Sequence, residues 1–327
     1  MADVSIIIPT FNRLWALPEA IESCRNTDDG LAIEIIVVDD GSTDGTWEWL
    51  QKQLNVIALR QSNWGKAYAV NHGFAIASGE FVRFLDSDDI LAPGANAAQV
   101  AEARRTSADV VAAGYIARYV RENADHTVPW TKCSDFVSQQ IGECDSSHYS
   151  AYLFRKAFLD GIAHRPEFAF RDDRMFVIEV ALKGPVVANV DIPCLIHRHH
   201  ERDRIQFQRG LISDVTNWQD IQMLTKAETL LQQSGELTAR RKKALANALW
   251  PVAHRVAATH LAEACKIMDR VKRLDPEFRI PHNGLLGRLH RVVGFRATEL
   301  GLRFVRVIRN TFLDLTGIRR AYAPPRV

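Results

Sequence analysis

Phe81-Val82-Arg83-Phe84-Leu85-Asp86-Ser87-Asp88-Asp89-Ile90 carries an apolar strand pattern straight into three carboxylates. Residues two apart on an extended backbone point to the same side, so Asp86 and Asp88 can converge on one divalent cation while Ser87 faces away. A cation held by hard oxygens beside phosphates stabilises a departing phosphate or diphosphate, and the segment therefore points to nucleotide-linked chemistry. The plain alternative is a solvated acidic turn, and the rest of the chain has to decide between them.

Working outward, strand and helix patterns alternate over residues 1–115. Short β-branched or apolar runs at 4–8, 33–38, 55–59, 81–85 and 109–113 predict strands, the first stopped by Pro9. Helical stretches at 15–25, 46–53, 66–77 and 95–105 fall between them. Such alternation implies an α/β fold with a mixed, mostly parallel sheet covered by helices on both faces. Ligands of such sheets bind outside the carboxyl ends of the strands. The polar clusters at 10–13, 39–42, 60–63 and 86–89 all follow strands, so four polar strand exits should meet at one edge.

Residues 115–144 are weakly patterned and read as an irregular excursion with strand pieces. A helix is expected at 154–159, and Asp172-Asp173 should open an apolar helix that ends before Gly184-Pro185. Further strands are expected at 186–190 and 194–196. Beyond about residue 206 the chain reads as helices only, with strong helix formers over 214–233 and 237–273, and Pro276 and Pro281 interrupting before a basic last segment. This divides the chain into a catalytic-type domain at 1–210 and a helical C-terminal region at 211–327.

A composition of 47% hydrophobic and 24% charged residues is that of an ordinary globular protein. The formal net charge of +2 hides an asymmetry: between Gly287 and Arg320 stand eight arginines against only Glu299 and Asp314. The five cysteines are scattered, without CxxC spacing, which argues against a disulfide framework or a zinc site and fits a reducing cytoplasm. No charged leader with an apolar region precedes the first strand pattern, and no apolar run approaches membrane-spanning length.

The motif set resembles the inverting family 2 glycosyltransferases of the GT-A fold. It consists of Ser5-Ile6-Ile7-Ile8-Pro9-Thr10-Phe11-Asn12-Arg13, of Ile36-Val37-Val38-Asp39-Asp40-Gly41-Ser42, of Asn63-Trp64-Gly65-Lys66 with Asn71-His72-Gly73, and of Gly79-Glu80-Phe81 through Asp89. The likeness covers residues 3–205. It implies a nucleotide-sugar donor, usually a UDP-sugar, with its base near Pro9, Thr10, Phe11 and Asp40. Asp86 would contact ribose and diphosphate, and Asp88 would hold Mn2+ or Mg2+. Arg13, Asn63, Lys66 and Ser87 join the donor-binding set, although Lys66 also reads as a surface lysine at a helix start.

Inverting transfer needs a base for the acceptor hydroxyl. Family members usually carry Glu-Asp with the second residue as base, which selects Asp173; the Asp-Asp pair here leaves Asp172 as the other candidate. Either carboxylate also suits a helix N-terminus. His197-Arg198-His199-His200 looks like the family's aromatic-Arg-x-His segment, placing His200 at the metal and Arg198 at a phosphate, with Arg202 and Arg204 in the same loop. His148-Tyr149 lies next to the acceptor side in the family layout. Arg83, inside a strand pattern, suits pairing with a buried acid as well as it suits a ligand.

At the C-terminus, Leu300, Phe304, Val307, Ile308, Phe312 and Leu315 recur at helical spacing with Arg303, Arg306 and Arg309 interleaved. A basic amphipathic helix of this kind suits peripheral docking on the inner face of a membrane, packing on the catalytic domain, or a homodimer. Nucleic acid is not expected, since no recognised module accompanies the arginines. The acceptor class is a glycan or a lipid-linked molecule, in surface polysaccharide or glycoconjugate assembly. The alternatives are a phosphotransferase or phosphatase of haloacid-dehalogenase type, whose DxD normally sits on the first strand rather than after three others, and a catalytically dead nucleotide-sugar-binding protein.

Overall fold

Four of the apolar runs pair as neighbouring parallel strands in the computed structural model, which describes residues 2–25, 30–200, 211–281 and 284–315. They are β1 (Val4–Thr10), β2 (Ile33–Asp39), β3 (Ile57–Arg60) and β4 (Phe81–Phe84), in the order β3-β2-β1-β4. All seven residues of β1 are buried, as expected of a parallel strand covered on both faces. Ile6 and Ile8 pack on one side with Val37, Leu17 and Ile21, while Ile7 packs on the other with Ile36, Val38 and Val70.

Pro9 does not stop β1. The carbonyl of Ile7 accepts from Leu85 N on the β4 side, and Pro9, two residues on, faces the same side. The β1–β4 ladder has already ended at Phe84, so the missing N–H deprives no partner strand.

The remaining strands are β5 (Ile90–Leu91), β6 (Val110–Tyr119), β7 (Ala124–Val128), β8 (Leu153–Arg155) and β9 (Val187–His199). They extend the sheet as β4-β8-β6-β9-β5, with β7 paired to β6; β8, β5 and β7 are antiparallel to their neighbours. The sheet is therefore mixed and mostly parallel, as the sequence implied. Helices α1 (Leu17–Arg25), α2 (Thr46–Leu50), α3 (Lys66–Ile76) and α4 (Ala95–Thr106) fill the crossovers.

Three further expectations are corrected. Residues 153–159 are not an α-helix but β8 followed by a 3-10 turn, Lys156–Leu159. Leu153 and Phe154 are fully buried on opposite faces of the sheet, an alternation that a helix cannot satisfy. The two strands expected at 186–196 are one, β9, which runs parallel to β6 with register shifts around Gly114. A Cβ at Gly114 would lie 2.6 Å from Val128 O, so glycine is what allows β7 to close on the bulge. Arg83 pairs with no acid among the described residues: its guanidinium donates to Asn96, Gln99 and the Ser150 carbonyl, fastening β4 to α4 and to the turn Tyr149–Ala151.

Downstream lie α5 (Phe136–Gln140), α6 (Asp172–Leu182), α7 (Leu211–Gln233), α8 (Ala239–Val256), α9 (Leu261–Leu274), α10 (Gly284–Val293) and α11 (Phe295–Leu315). The helix formers over 237–273 build two helices, α8 and α9, which reverse at 257–260, and Leu249, Val256, Ile267 and Met268 share one hydrophobic cluster. This cluster also takes in Val137, Met175 and Ile178 of α5 and α6. The expected boundary at 210, with Arg202 and Arg204, lies outside the described residues, as do Arg319 and Arg320.

Candidate active site

The β1 and β2 exits lock together through short polar side chains. Asn12, in the left-handed region at φ 51°, accepts from Thr43 N at 2.8 Å, and its own N–H donates to Ser42 Oγ at 2.8 Å. Buried Asp39 accepts from Ser42 N at 3.2 Å and pairs with Arg60 at 3.2 Å. Asp40 accepts from Gln61 Nε2, Trp64 N and Gly65 N, each at 2.9 Å, and so draws the loop before α3 against the β2 exit. Gly65 holds φ 104°, a backbone that few other residues tolerate, as it delivers that N–H.

Lys66, first residue of α3, reaches across to Asp86 beyond β4, Nζ to Oδ1 at 2.6 Å, and lies over the Tyr149 ring. Burial opposes the Lys66 charge, but Asp86, Asp172 and Asp173 together outweigh it and hold its pKa above the ordinary lysine value. Burial, with Asp89 and Asp88 nearby, pushes the Asp86 carboxyl up against the pull of Lys66.

Asp88 Oδ2 lies 3.1 Å from His200 Nε2 and 3.8 Å from Arg13 Nε. Asp89 is buried and accepts from Arg198 N at 2.9 Å and pairs with His197 Nδ1 at 3.0 Å. The ligand atoms of Asp89, His148 and His197 lie within 4.8 Å of one another, a second grouping that could hold a cation. Burial pulls His148 below the ordinary histidine value.

The adjacent acids of α6 have different surroundings. Asp172 is buried, and its Oδ2 lies 3.1 Å from His164 Nδ1; the other ring nitrogen of His164 lies 2.7 Å from Tyr149 Oη. Asn71 of α3 fixes the same histidine through both its backbone N–H and carbonyl, each at 2.9 Å. Burial alone would raise the Asp172 carboxyl, but the His164 bond and the Lys66 charge more than reverse it and hold it below the usual carboxylate range.

A cavity of about 660 Å³ opens at this edge of the sheet. Pro9, Thr10, Phe11, Arg13, Asp40, Asn63, Lys66, Asp86, Ser87, Asp88 and Asp173 all line it. Asp172, Arg198 and His200 do not, although His200 touches the cavity wall through Asp88. Arg198 is buried, and its guanidinium is spent on the Asp88 carbonyl, Glu19 and the Ala16 carbonyl, which ties the end of β9 to α1. His148 and Tyr149 also line the cavity, joined by Gln140, Ser147, Tyr152 and Val177. Those last four come from a stretch without readable periodicity and from one face of α6, and His164 stands in no motif; no sequence signal marked them.

Residues 5–159 match the family model "Glycosyl transferase family 2", so the chain carries a domain of that family, and the mixed sheet with its helical continuation is GT-A-like. It is 41% identical over 101 residues to the GalNAc(5)-diNAcBac-PP-undecaprenol beta-1,3-glucosyltransferase of Campylobacter jejuni, a match to 29% of this chain and 32% of that protein. The chain thus spans about a third of the length of the first curated relatives it matches. Among solved structures, S. aureus TarS 1-349 in complex with UDP-GlcNAc superposes with a TM-score of 0.55 at 18% identity, covering 85% of this chain and 91% of that one. Mannosyltransferase PcManGT from Pyrobaculum calidifontis, in complex with GDP-Man and Mn2+, gives 0.51 at 18% identity, covering 91% and 85%.

Proposed function

We propose that this protein transfers a sugar from a nucleoside-diphosphate sugar, most simply a UDP-sugar, to an acceptor hydroxyl with inversion at the anomeric carbon. One observation carries the reading: Lys66, Asp86, Asp88 and Asp173 line a single cavity, while Asp172 is turned into a buried bond with His164. The acceptor oxygen forms its bond to the anomeric carbon as the bond to the β-phosphate oxygen breaks. The hydroxyl proton passes to the Asp173 carboxylate, and the nucleoside diphosphate leaves.

The donor base lies against Pro9 to Phe11 and Asp40. Lys66, held charged by its three acidic neighbours, can exchange Asp86 for a phosphate oxygen. The carboxylate of Asp88 and the imidazole of His200, 3.1 Å apart, are a donor pair that fits Mn2+ or Mg2+. Such an ion, when bound, neutralises charge developing on the leaving diphosphate. Arg198 acts here as a strut for the Asp88 backbone rather than as a phosphate ligand.

The Campylobacter jejuni relative's name supports a lipid-linked acceptor, and with it a place in surface polysaccharide or glycoconjugate assembly. A nucleotide-sugar donor and the free cysteines fit a cytoplasmic setting. Thermal unfolding with UDP, GDP and their sugars, each with and without Mn2+, tests the reading. UDP with Mn2+ should raise Tm above either alone, and at a hundredfold excess over Kd the stabilisation relative to the unliganded protein should be ~2.7 kcal/mol. Asp88→Asn should abolish the Mn2+-dependent part. A panel in which no nucleotide moves Tm contradicts the proposal.

A further inference from the structure

Helices α10 and α11 bury Phe295 in the core, but beside it they enclose several polar groups. The side chains they bury include His290, Thr298 and Glu299, the last fully enclosed and bonded to His254 of α8, Nδ1 to Oε1 at 2.6 Å. Apart from buried Phe295 and the half-buried Leu286 and Leu302, their described apolar side chains face outward. On α10, Leu285, Leu289, Val292 and Val293 fall at i, i+4, i+7 and i+8, a single stripe, with Leu285 74% and Val292 83% exposed. On α11, Leu300, Phe304 and Val305 continue the exposed apolar surface. A helix hairpin surrounded only by protein and water would turn most of this apolar stripe inward.

The charges beside the stripe have one sign. Arg288, Arg291 and Arg296 are exposed and Arg303 half-exposed, whereas Glu299, the only acid between positions 284 and 313, is buried. We propose that the α10–α11 face is a docking surface for an anionic lipid bilayer, with the leucine, valine and phenylalanine side chains entering the headgroup boundary and the arginines meeting lipid phosphates. No helix among the described residues is long and apolar enough to cross a membrane, so the pair lies on the surface. A second copy is a poorer occupant, because an isologous contact would set this arginine-bearing face against itself. The proposal is independent of the sugar-transfer reading.

The test is co-sedimentation of the full chain, without nucleotide, with phosphatidylcholine vesicles and with vesicles that also contain phosphatidylglycerol. Binding to the anionic vesicles, weakened by salt, is expected. Leu289→Glu with Val292→Glu, at positions already exposed to solvent, should reduce it at least ~10-fold while circular dichroism melting stays unchanged. Arg288→Gln with Arg291→Gln should weaken it roughly 25-fold, from about fivefold per cation. Equal partition into neutral and anionic vesicles, indifference to all four substitutions, or a vesicle-free dimer that Val292→Glu dissociates would each overturn the proposal.

Discussion

Asp172 and Asp173 are chemically identical neighbours with different partners, and the helix explains why. Successive residues of an α-helix are turned by about 100°, so one carboxylate of α6 can face the cavity while the next faces the core. The sequence could offer the pair but not choose within it. The choice depends on His164, which lies outside every motif, and on its fixation by Asn71. Because the folded-state value of Asp172 lies below its ordinary 3.8, its stabilising contribution is complete above that pH and is lost as pH falls through the folded value. Urea midpoints measured from pH 6 down to about pH 3 should therefore fall less steeply in Asp172→Asn than in the wild type. Parallel slopes in the two proteins would remove the buried bond from the account.

Elements were legible where a pattern repeated. Four parallel strands and their crossover helices follow from β-branched runs ending in polar clusters, because parallel strands buried on both faces demand continuous apolar sequence. β8 was not legible: three residues cannot display a period, and only their pairing with β4 and β6 makes them a strand. The hairpin of β6 with β7 was legible only as a strand at 109–113 and loose strand pieces beyond it, because the exposed β7 carries no apolar alternation. A packing constraint on α3 was also silent. Gly73 faces the sheet so closely that a Cβ would lie 2.7 Å from Ile7 Cγ2 and 3.2 Å from Val38 Cγ2, both on buried, β-branched side chains. Gly73→Ala gains about 1 kcal/mol of helix propensity but costs roughly 1–3 kcal/mol in overpacking. Net destabilisation in chemical denaturation is expected, and a stabilised variant would show that α3 can lift without cost.

For the molecule as a whole, the helices after residue 210 complete the hydrophobic core begun by α5 and α6. Val137, Met175 and Ile178 share a cluster with Leu245, Leu249 and Val252. A chain cut after residue 210 is therefore expected to expose that surface and aggregate, and Leu249→Ala, at a fully buried position, should cost about 2–5 kcal/mol. A monomeric 1–210 fragment with a cooperative melt would instead make the helical region a dispensable domain. Sheet gives way to helices between β9, which ends at His199, and α7, which starts at Leu211, and composition alone could not reveal that one core joins α5 and α6 to the later helices.

The measurement closest to the centre of this account is turnover of a UDP-sugar by Asp173→Asn, read beside the UDP–Mn2+ melting shift of the same protein. With Asp173 as the base for the acceptor hydroxyl, turnover falls at least ~10²-fold and the shift is retained. Wild-type turnover in Asp173→Asn, or a larger loss in Asp172→Asn with its fold intact, would contradict it.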